Sequence, residues 1–109
     1  MHIYFINKRQ EKLFNSEKSL TKKFGRRNAR IIQQRLLDLN GVSNLSEMRL
    51  LPGRCHRLKG DREGQFALDL EHPKRLIFEP FFENDESSKN VELVEIKAVV
   101  IIGVIDYHD

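Results

Sequence analysis

Two short stretches of this 109-residue chain contain side chains that could transfer protons and neutralise charge on a phosphate. The first, residues 51–61, lies between glycine turns and holds one histidine, three cations and one carboxylate: His56, Arg54, Arg57, Lys59 and Asp61. The second, residues 106–109, reads Asp-Tyr-His-Asp and directly follows an apolar run, so a core strand positions its start. Each stretch also has a simpler interpretation, an exposed polar strand for the first and a frayed terminus for the second.

Together the two stretches hold the groups needed for metal-free cleavage of RNA. A base must remove the proton of a 2′-hydroxyl, an acid must protonate the leaving 5′-oxygen, and cations must stabilise charge on the phosphate. Histidine suits both proton transfers because the imidazole pKa of about 6.5 lies near the operating pH. Arginine can bind phosphate oxygens through two parallel hydrogen bonds, and tyrosine can stack on a base. We therefore predict an RNA-cleaving site with no metal ion and no cofactor.

The charge of the chain is unevenly distributed along its length. The net charge is +3, but residues 1–42 hold ten Lys/Arg against three Asp/Glu, a balance of +7, and residues 77–109 have a balance of −6. A basic N-terminal half attracts polyanions, although solvated helix faces would give the same pattern. The cations that we predict to contact RNA or the ribosome are Lys22, Lys23, Arg26, Arg27, Arg30, Arg54 and Arg57.

Hydrophobic periodicity predicts the elements that position these residues. We expect a strand at 2–6, a helix capped by Asn7 and stopped by Gly25, and a second helix from 26 to 39 stopped by Asn40-Gly41. A helical turn is expected at 45–48, and strands at 65–70, 75–78 and 91–105. The predicted fold class is α+β in the order β-α-α-β-β-β, with two N-terminal helices packed on a small, mainly antiparallel sheet. One domain spans residues 1–109, with an acidic exposed loop at about 80–92.

Alternation along residues 54–59 predicts how the first stretch is oriented. Cys55 should point away from His56 and be packed, and Lys59 should share the face of His56 only if the strand twists or bulges. We expect five phenylalanines in the core and two more, in the acidic loop, as exposed aromatics that could contact a partner. These residues are Phe5, Phe14, Phe24, Phe66 and Phe78 for the core, and Phe81 and Phe82 for the loop.

The sequence gives no indication of a membrane or a secretory route. No apolar run approaches the about 18 residues that cross a bilayer, and the N-terminal charges follow the apolar residues, unlike those of a signal peptide. The lone cysteine, Cys55, cannot form an internal disulfide. We expect a cytoplasmic protein.

At the residues named above, the sequence resembles the HigB-type toxins of the RelE/ParE group of bacterial toxin–antitoxin systems. Residues 51–61, Leu-Pro-Gly-Arg-Cys-His-Arg-Leu-Lys-Gly-Asp, look like the toxin signature, residues 75–78 resemble its arginine-containing strand, and residues 106–108 match its terminal Asp-Tyr-His. The resemblance implies the RelE-like microbial ribonuclease fold and ribosome-dependent cleavage of messenger RNA in the A site. It also implies inhibition by a helix-turn-helix antitoxin of the HigA type and a toxin that is monomeric when free.

The resemblance implies roles for individual residues. His56 and His108 would transfer protons, Asp106 would orient a histidine, and Tyr107 would contact the nucleotide. Lys59 and Arg75 would stabilise the transition state. The chain departs from the pattern in its longer acidic loop and in lacking an aromatic residue before Arg75. Two other functions stay open: a non-enzymatic poison of DNA gyrase, as in the ParE branch, and a regulatory nucleic-acid-binding protein.

Overall fold

The computed structural model describes residues 1–83 and 91–106, and it has the predicted α+β class. Three α-helices follow the first strand: α1 (Lys8–Phe14), α2 (Glu17–Phe24) and α3 (Arg26–Gly41). The strands are β1 (His2–Phe5), β2 (His56–Arg57), β3 (Phe66–Asp69), β4 (Lys74–Pro80) and β5 (Ala98–Asp106). Short 3₁₀ turns occupy Leu45–Leu50, as expected for the predicted helical turn, and Gly60–Arg62 and Leu93–Glu95.

The five strands form one mixed sheet in the order β1-β5-β4-β3-β2. The first strand runs parallel to β5, and the other three pairs are antiparallel, which confirms the mainly antiparallel sheet. The register of β4 and β5 shifts between Ile77 and Phe78, where the ladder is irregular. The short strand β2 forms one edge of the sheet and was not counted in the predicted order.

The single helix predicted between Asn7 and Gly25 is wrong, because the chain breaks at Asn15-Ser16 into α1 and α2. The side chain of Asn7 caps α1, as predicted, by accepting a hydrogen bond from the amide of Gln10. Ser16 has extended backbone angles, and its hydroxyl accepts a hydrogen bond from the amide of Ser19 at 3.1 Å. A serine that caps a new helix in this way competes with continuation of the previous one.

The second predicted helix is present as α3, but its predicted stop at Asn40-Gly41 is wrong. The helix runs through Gly41 and ends before Val42, which is extended with φ −84°. Its last carbonyls have another partner, because the terminal ammonium of Met1 donates to the carbonyls of Leu39 and Asn40 at 3.0 Å each. A cation at a helix C-terminus satisfies these orphan acceptors without a left-handed glycine turn.

The main core lies between the helices and one face of the sheet. Leu20 and Ile32 of the helices are fully buried in one cluster with Phe78 and Ile101 of the sheet. Of the phenylalanines predicted in the core, Phe14, Phe66 and Phe78 are buried, and Phe5 and Phe24 are half-buried against the same cluster. A smaller cluster holds Leu58, Ala67 and Ile77, with Ile102 and Ile105 packed against it.

The predicted strand at 91–105 is wrong in its first half, since β5 begins only at Ala98. The 3₁₀ turn before it closes with a hydrogen bond from the amide of Ile96 to the carbonyl of Leu93, and Ile96 is fully buried. Burial of Ile96 thus bends a segment whose composition alone favours a strand. No helix of the described residues is long and apolar enough to cross a membrane.

The predicted acidic loop at about 80–92 begins inside the sheet. Strand β4 extends to Pro80, and the amide of Phe81 donates to the carbonyl of Ala98 at 2.9 Å. Both Phe81 and Phe82 are half-buried, so the expectation of two exposed aromatics is wrong. Residues 84–90 of this predicted loop lie outside the described residues.

Candidate active site

The candidate site lies on the face of the sheet that carries the smaller apolar cluster. In the antiparallel register, His56 is opposite Ala67, Ala67 is opposite Ile77, and Asp69 is opposite Arg75. Alternate residues of a strand share a face, and paired residues on neighbouring strands lie side by side. The side chains that lie on one side of the sheet are therefore those of His56, Ala67, Asp69, Arg75 and Ile77. We call this side, opposite to the main core, the distal face. The sheet therefore brings His56 and Arg75 onto one surface.

His56 is held in one tautomer by the backbone. Its Nδ1 lies 2.7 Å from the carbonyl oxygen of Arg54. Since a carbonyl oxygen only accepts, Nδ1 carries the proton and donates, which leaves Nε2 as the basic nitrogen of the neutral ring. The side chain is half-buried at the edge strand. This arrangement gives His56 a fixed ring and one nitrogen that can accept a proton.

Asp69 binds two arginines on the distal face. Arg54 Nε lies 2.8 Å from Asp69 Oδ2, and Arg54 Nη2 donates to Oδ1 at 3.3 Å. Arg75 Nε lies 3.3 Å from Asp69 Oδ1. The Arg75 side chain is only 11% exposed, against 59% for Arg54. One carboxylate thus orders two guanidinium groups, and the three side chains carry a net positive charge on the face that also holds His56.

The Leu-Pro-Gly turn that leads into β2 needs its glycine. Gly53 has φ +112°, and a Cβ atom there would lie 2.7 Å from Arg35 Nε. The side chain of Arg35 in turn donates to the backbone carbonyl of Asp69 at 3.0 Å, and the backbone amide of Asp69 donates to the carbonyl of Gly53 at 2.7 Å. Arg54 also has a positive φ, 50°, which is uncommon for a residue with a side chain.

Other predicted site residues in the first stretch do not join this cluster. Arg57 is opposite Phe66 of the main core, its guanidinium carbon lies 5.0 Å from the centre of that ring, and it donates to the carbonyl of Val91 at 2.9 Å. Lys59 is exposed and lies beyond the end of β2, where it precedes a 3₁₀ turn. A bulge that would bring Lys59 to the face of His56 stays a prediction.

Cys55 behaves as the alternation predicted. It packs against the main core, on the side away from His56. Burial raises the pKa of the Cys55 thiol from 9.0 to about 12, so the nucleophilic thiolate is strongly disfavoured. Within residues 1–83 and 91–106, no three side chains of His, Cys, Asp or Glu are grouped closely enough to bind a metal ion.

Asp106 is the only residue of the terminal Asp-Tyr-His that falls among the described residues. It is paired in register with Lys74, and its carboxylate lies 2.6 Å from Lys74 Nζ. Although the pair is one register step from Arg75 and Ile105, neighbouring residues of a strand point to opposite faces, so the side chains of Lys74 and Asp106 lie on the side of the sheet opposite to the distal face. Tyr107 and His108 lie outside the described residues, so the roles expected for this tail stay predictions.

The predicted cations of the helices are split between a shared surface and local contacts. Lys22, Arg26 and Arg30 line one shallow depression on α2 and α3. Arg27 instead pairs with Glu71 at 3.2 Å, and the Lys23 ammonium lies 5.7 Å from the ring centre of Phe24. All five side chains are exposed and lie on the helices, so they are separate from the distal face.

Sequence reasoning missed Asp69 and Arg35. A signal for Asp69 was present, because Asp69 and Arg75 are equally distant from His72, in the turn that joins β3 and β4. Opposite charges placed symmetrically about a hairpin turn predict a cross-strand ion pair. No comparable signal marked Arg35, whose contact with Asp69 joins two elements far apart in the sequence.

Comparison with known proteins bears on the fold. No protein-family model and no curated protein matches the sequence. Among solved structures, a YoeB/ParE toxin from Agrobacterium tumefaciens superposes with a TM-score of 0.52 at 12% sequence identity, over 99% of this chain and 100% of that one. The chain has the fold of a YoeB/ParE toxin. At this low identity, the shared fold does not assign roles to individual residues.

Proposed function

We propose that this protein is the toxin of a toxin–antitoxin pair, of the HigB type, and acts as a ribosome-dependent endoribonuclease. It would cleave translated messenger RNA by metal-free acid–base chemistry and so inhibit translation. The observation that carries this proposal is the distal face, where His56 has a fixed tautomer and shares one side of the sheet with two arginines that are ordered by Asp69. The shared fold with a YoeB/ParE toxin supports the toxin role and is common to both activities, cleavage of RNA and inhibition of gyrase.

In the proposed reaction, His56 is the base. The Nε2 atom of its neutral ring accepts the proton of the 2′-hydroxyl, and the Arg54 carbonyl stabilises the imidazolium that forms by accepting from Nδ1. Arg75 and Arg54 stabilise the charge that develops on the phosphate. His108 would protonate the leaving 5′-oxygen, and Tyr107 would stack on the nucleotide. Asp106 would orient the terminal histidine, and Lys59 would add positive charge.

The proposal places His56 and the tail that follows β5 on either side of Arg75, and it requires the tail to turn toward the distal face after Asp106, whose side chain lies on the other face. The row that contains His56 continues through Ala67 and Ile77 to Gly103 on β5, and Asp106 follows three residues later. With about 4.8 Å between strands and about 3.3 Å per residue, His56 and Asp106 are separated by about 14 Å across the sheet and about 10 Å along it. Arg75 lies on the strand between them. A phosphate bound at Arg75 would therefore have His56 on one side and the end of β5 on the other.

The helical cations would dock the protein on the ribosome. Lys22, Arg26 and Arg30 line one depression with Lys18 and a single carboxylate, Glu17, and the excess of positive charge favours a polyanion through non-specific phosphate contacts. The expected inhibitor is a helix-turn-helix antitoxin of the HigA type. We propose that the free toxin is a monomer that acts in the cytoplasm.

The proposal is tested by primer extension on a reporter messenger in a translating extract. We expect cuts with the wild-type chain only while translation proceeds, and loss of the cuts by at least about a hundredfold with His56→Ala or His108→Ala. The matched control is His2→Ala, which removes an exposed histidine of β1, at the opposite edge of the sheet from the strand that carries His56. Full cleavage by His56→Ala, or an equal loss in the control variant, would contradict the proposal.

A gyrase poison is the alternative, because the name of the structurally similar toxin includes ParE, and the ParE branch contains poisons of DNA gyrase. In that case, the messenger would stay intact, a supercoiling assay would show inhibition of gyrase, and alanine at both histidines would have little effect. A regulatory nucleic-acid-binding protein would bind RNA or DNA without turnover in either assay.

A further inference from the structure

A second pocket lies at the opposite end of β5 from Asp106, between β1, the end of β4 and the start of β5. It has a volume of about 460 Å³, within the range of ligand pockets. The rings of Tyr4 and Phe81 form its aromatic wall, with centroids 4.5 Å apart, and the centre of the His2 ring lies 4.5 Å from that of Tyr4. Tyr4 is 39% exposed, so part of its side chain is accessible to a ligand.

The polar groups of this pocket are mainly acidic. Glu83 and Glu95 line it together with Lys97, so the three charged side chains sum to −1. The segment from residue 77 to the end of the chain, which supplies most of this pocket, has a sequence balance of −6. The basic depression on α2 and α3 has the opposite sign. The local charge thus disfavours a phosphate and favours a cation.

From these observations, we propose that the pocket binds an arginine side chain presented by a basic segment of a protein partner. The guanidinium would stack on the rings of Tyr4 and Phe81 while its N–H groups donate to Glu83 and Glu95. Aromatic rings attract cations through their negative faces, and a planar guanidinium can stack and donate in its plane at the same time. A lysine ammonium has no plane to stack and is more strongly hydrated, so arginine fits this wall better.

The pocket is separate from the proposed catalytic residues. Ala98 lines the pocket and Ile105 pairs with Arg75, so the two regions are about 23 Å apart along β5 at about 3.3 Å per residue. Binding of arginine therefore does not depend on ribonuclease activity. The proposal holds or fails independently of the function proposed above.

The test is an NMR titration of the isotopically labelled full chain with a short peptide that contains one arginine. The matched ligand replaces arginine by citrulline, which keeps the shape and removes the charge. We expect the arginine peptide to shift the ring signals of Tyr4 and Phe81, with an affinity about tenfold higher than that of the citrulline peptide. The double variant Glu83→Gln with Glu95→Gln should weaken arginine binding by about three- to tenfold.

Three further measurements separate a specific pocket from general attraction. Tyr4→Phe should retain binding, and Tyr4→Leu should weaken it, because only the second removes the aromatic ring. Glu92→Gln removes an exposed carboxylate that does not line the pocket and should leave binding unchanged. Equal affinity for citrulline, absence of shifts at the two rings, or tighter binding of an oligoribonucleotide at these rings would each overturn the proposal.

Discussion

Replacement of Asp69 by asparagine should destabilise the protein mainly through Arg75, although Arg54 makes the shorter contact with this carboxylate. The Nε–Oδ distances are 2.8 Å for Arg54 and 3.3 Å for Arg75, which changes the Coulomb energy by a factor of only about 1.2. The Arg75 side chain is 11% exposed and that of Arg54 is 59% exposed. The effective dielectric constant of an exposed environment can exceed that of a buried one by a factor of about four. Burial therefore changes the energy of these ion pairs more than the difference in distance does.

The expected magnitudes follow from this difference in burial. The exposed pair of Arg54 and Asp69 should contribute below about 1 kcal/mol. Loss of an ion-pair partner of a fully buried cation costs about 3–5 kcal/mol, and the partial exposure of Asp69 reduces this cost for Arg75 to about 1–2 kcal/mol. We therefore expect Asp69→Asn to cost about 2 kcal/mol in the free energy of unfolding. For a chain of this length, that lowers Tm by about 8–10 °C.

Double-mutant cycles measured by urea denaturation test this reasoning. Asp69→Asn is combined in turn with Arg54→Gln and with Arg75→Gln, and the coupling energy should be larger for Arg75 by about 0.5–1 kcal/mol. A larger coupling to Arg54 would refute the argument that burial decides the strength of these pairs. In the cleavage assay, Asp69→Asn should lower kcat more than it raises KM, since a mispositioned Arg75 loses its role in the transition state.

Three other predictions concern the turn, the buried thiol and the basic surface. Gly53→Ala should lower stability by about 2 kcal/mol, measured by urea denaturation, because the left-handed backbone and the contact with a neighbouring side chain both oppose a Cβ atom. At pH 8, native Cys55 should react with iodoacetamide about a thousandfold more slowly than in the denatured chain, since burial raises its pKa to about 12. Replacing Lys22, Arg26 and Arg30 by glutamine should lower the salt dependence of RNA binding, with the slope of log K against log salt falling by about two to three.

Each of these predictions has a control and a contrary result. Gly41 ends a helix, and an added Cβ atom there would have no atom within 4 Å, so Gly41→Ala should be neutral or stabilising. An equal loss of stability at Gly41 and Gly53 would contradict the argument from strain at Gly53. Rapid alkylation of folded protein would contradict burial of the thiol. Lys12→Gln, on α1 away from the basic depression, should change the salt slope by less than the triple variant does.

The elements with strong hydrophobic patterns could be predicted from the sequence. Alternation identified β3, and helical spacing identified α3, because the core selects those patterns directly. The break at Asn15-Ser16 was missed because apolar residues continue at helical spacing through it. Strand β2 has only two residues, too few for a period, and is defined by its pairing with β3.

Two residues of the candidate site could be selected from the sequence, but their arrangement could not. His56 and Arg75 stood out by type and by resemblance, and the structure places them on one face. Their shared face depends on the register of three strands, which the sequence indicates only at the turn between β3 and β4. Arg57 illustrates the limit, because its cationic side chain packs on Phe66 instead of joining the site.

The chemistry of the product ends tests the central claim most directly. If a base such as His56 activates the 2′-hydroxyl, messenger cleaved on programmed ribosomes should carry a 2′,3′-cyclic phosphate upstream of the cut and a 5′-hydroxyl downstream. The downstream fragment should then accept a labelled phosphate from polynucleotide kinase without prior phosphatase treatment. A 5′-phosphate with a 3′-hydroxyl, or an intact messenger on ribosomes that hold the protein, would contradict the account.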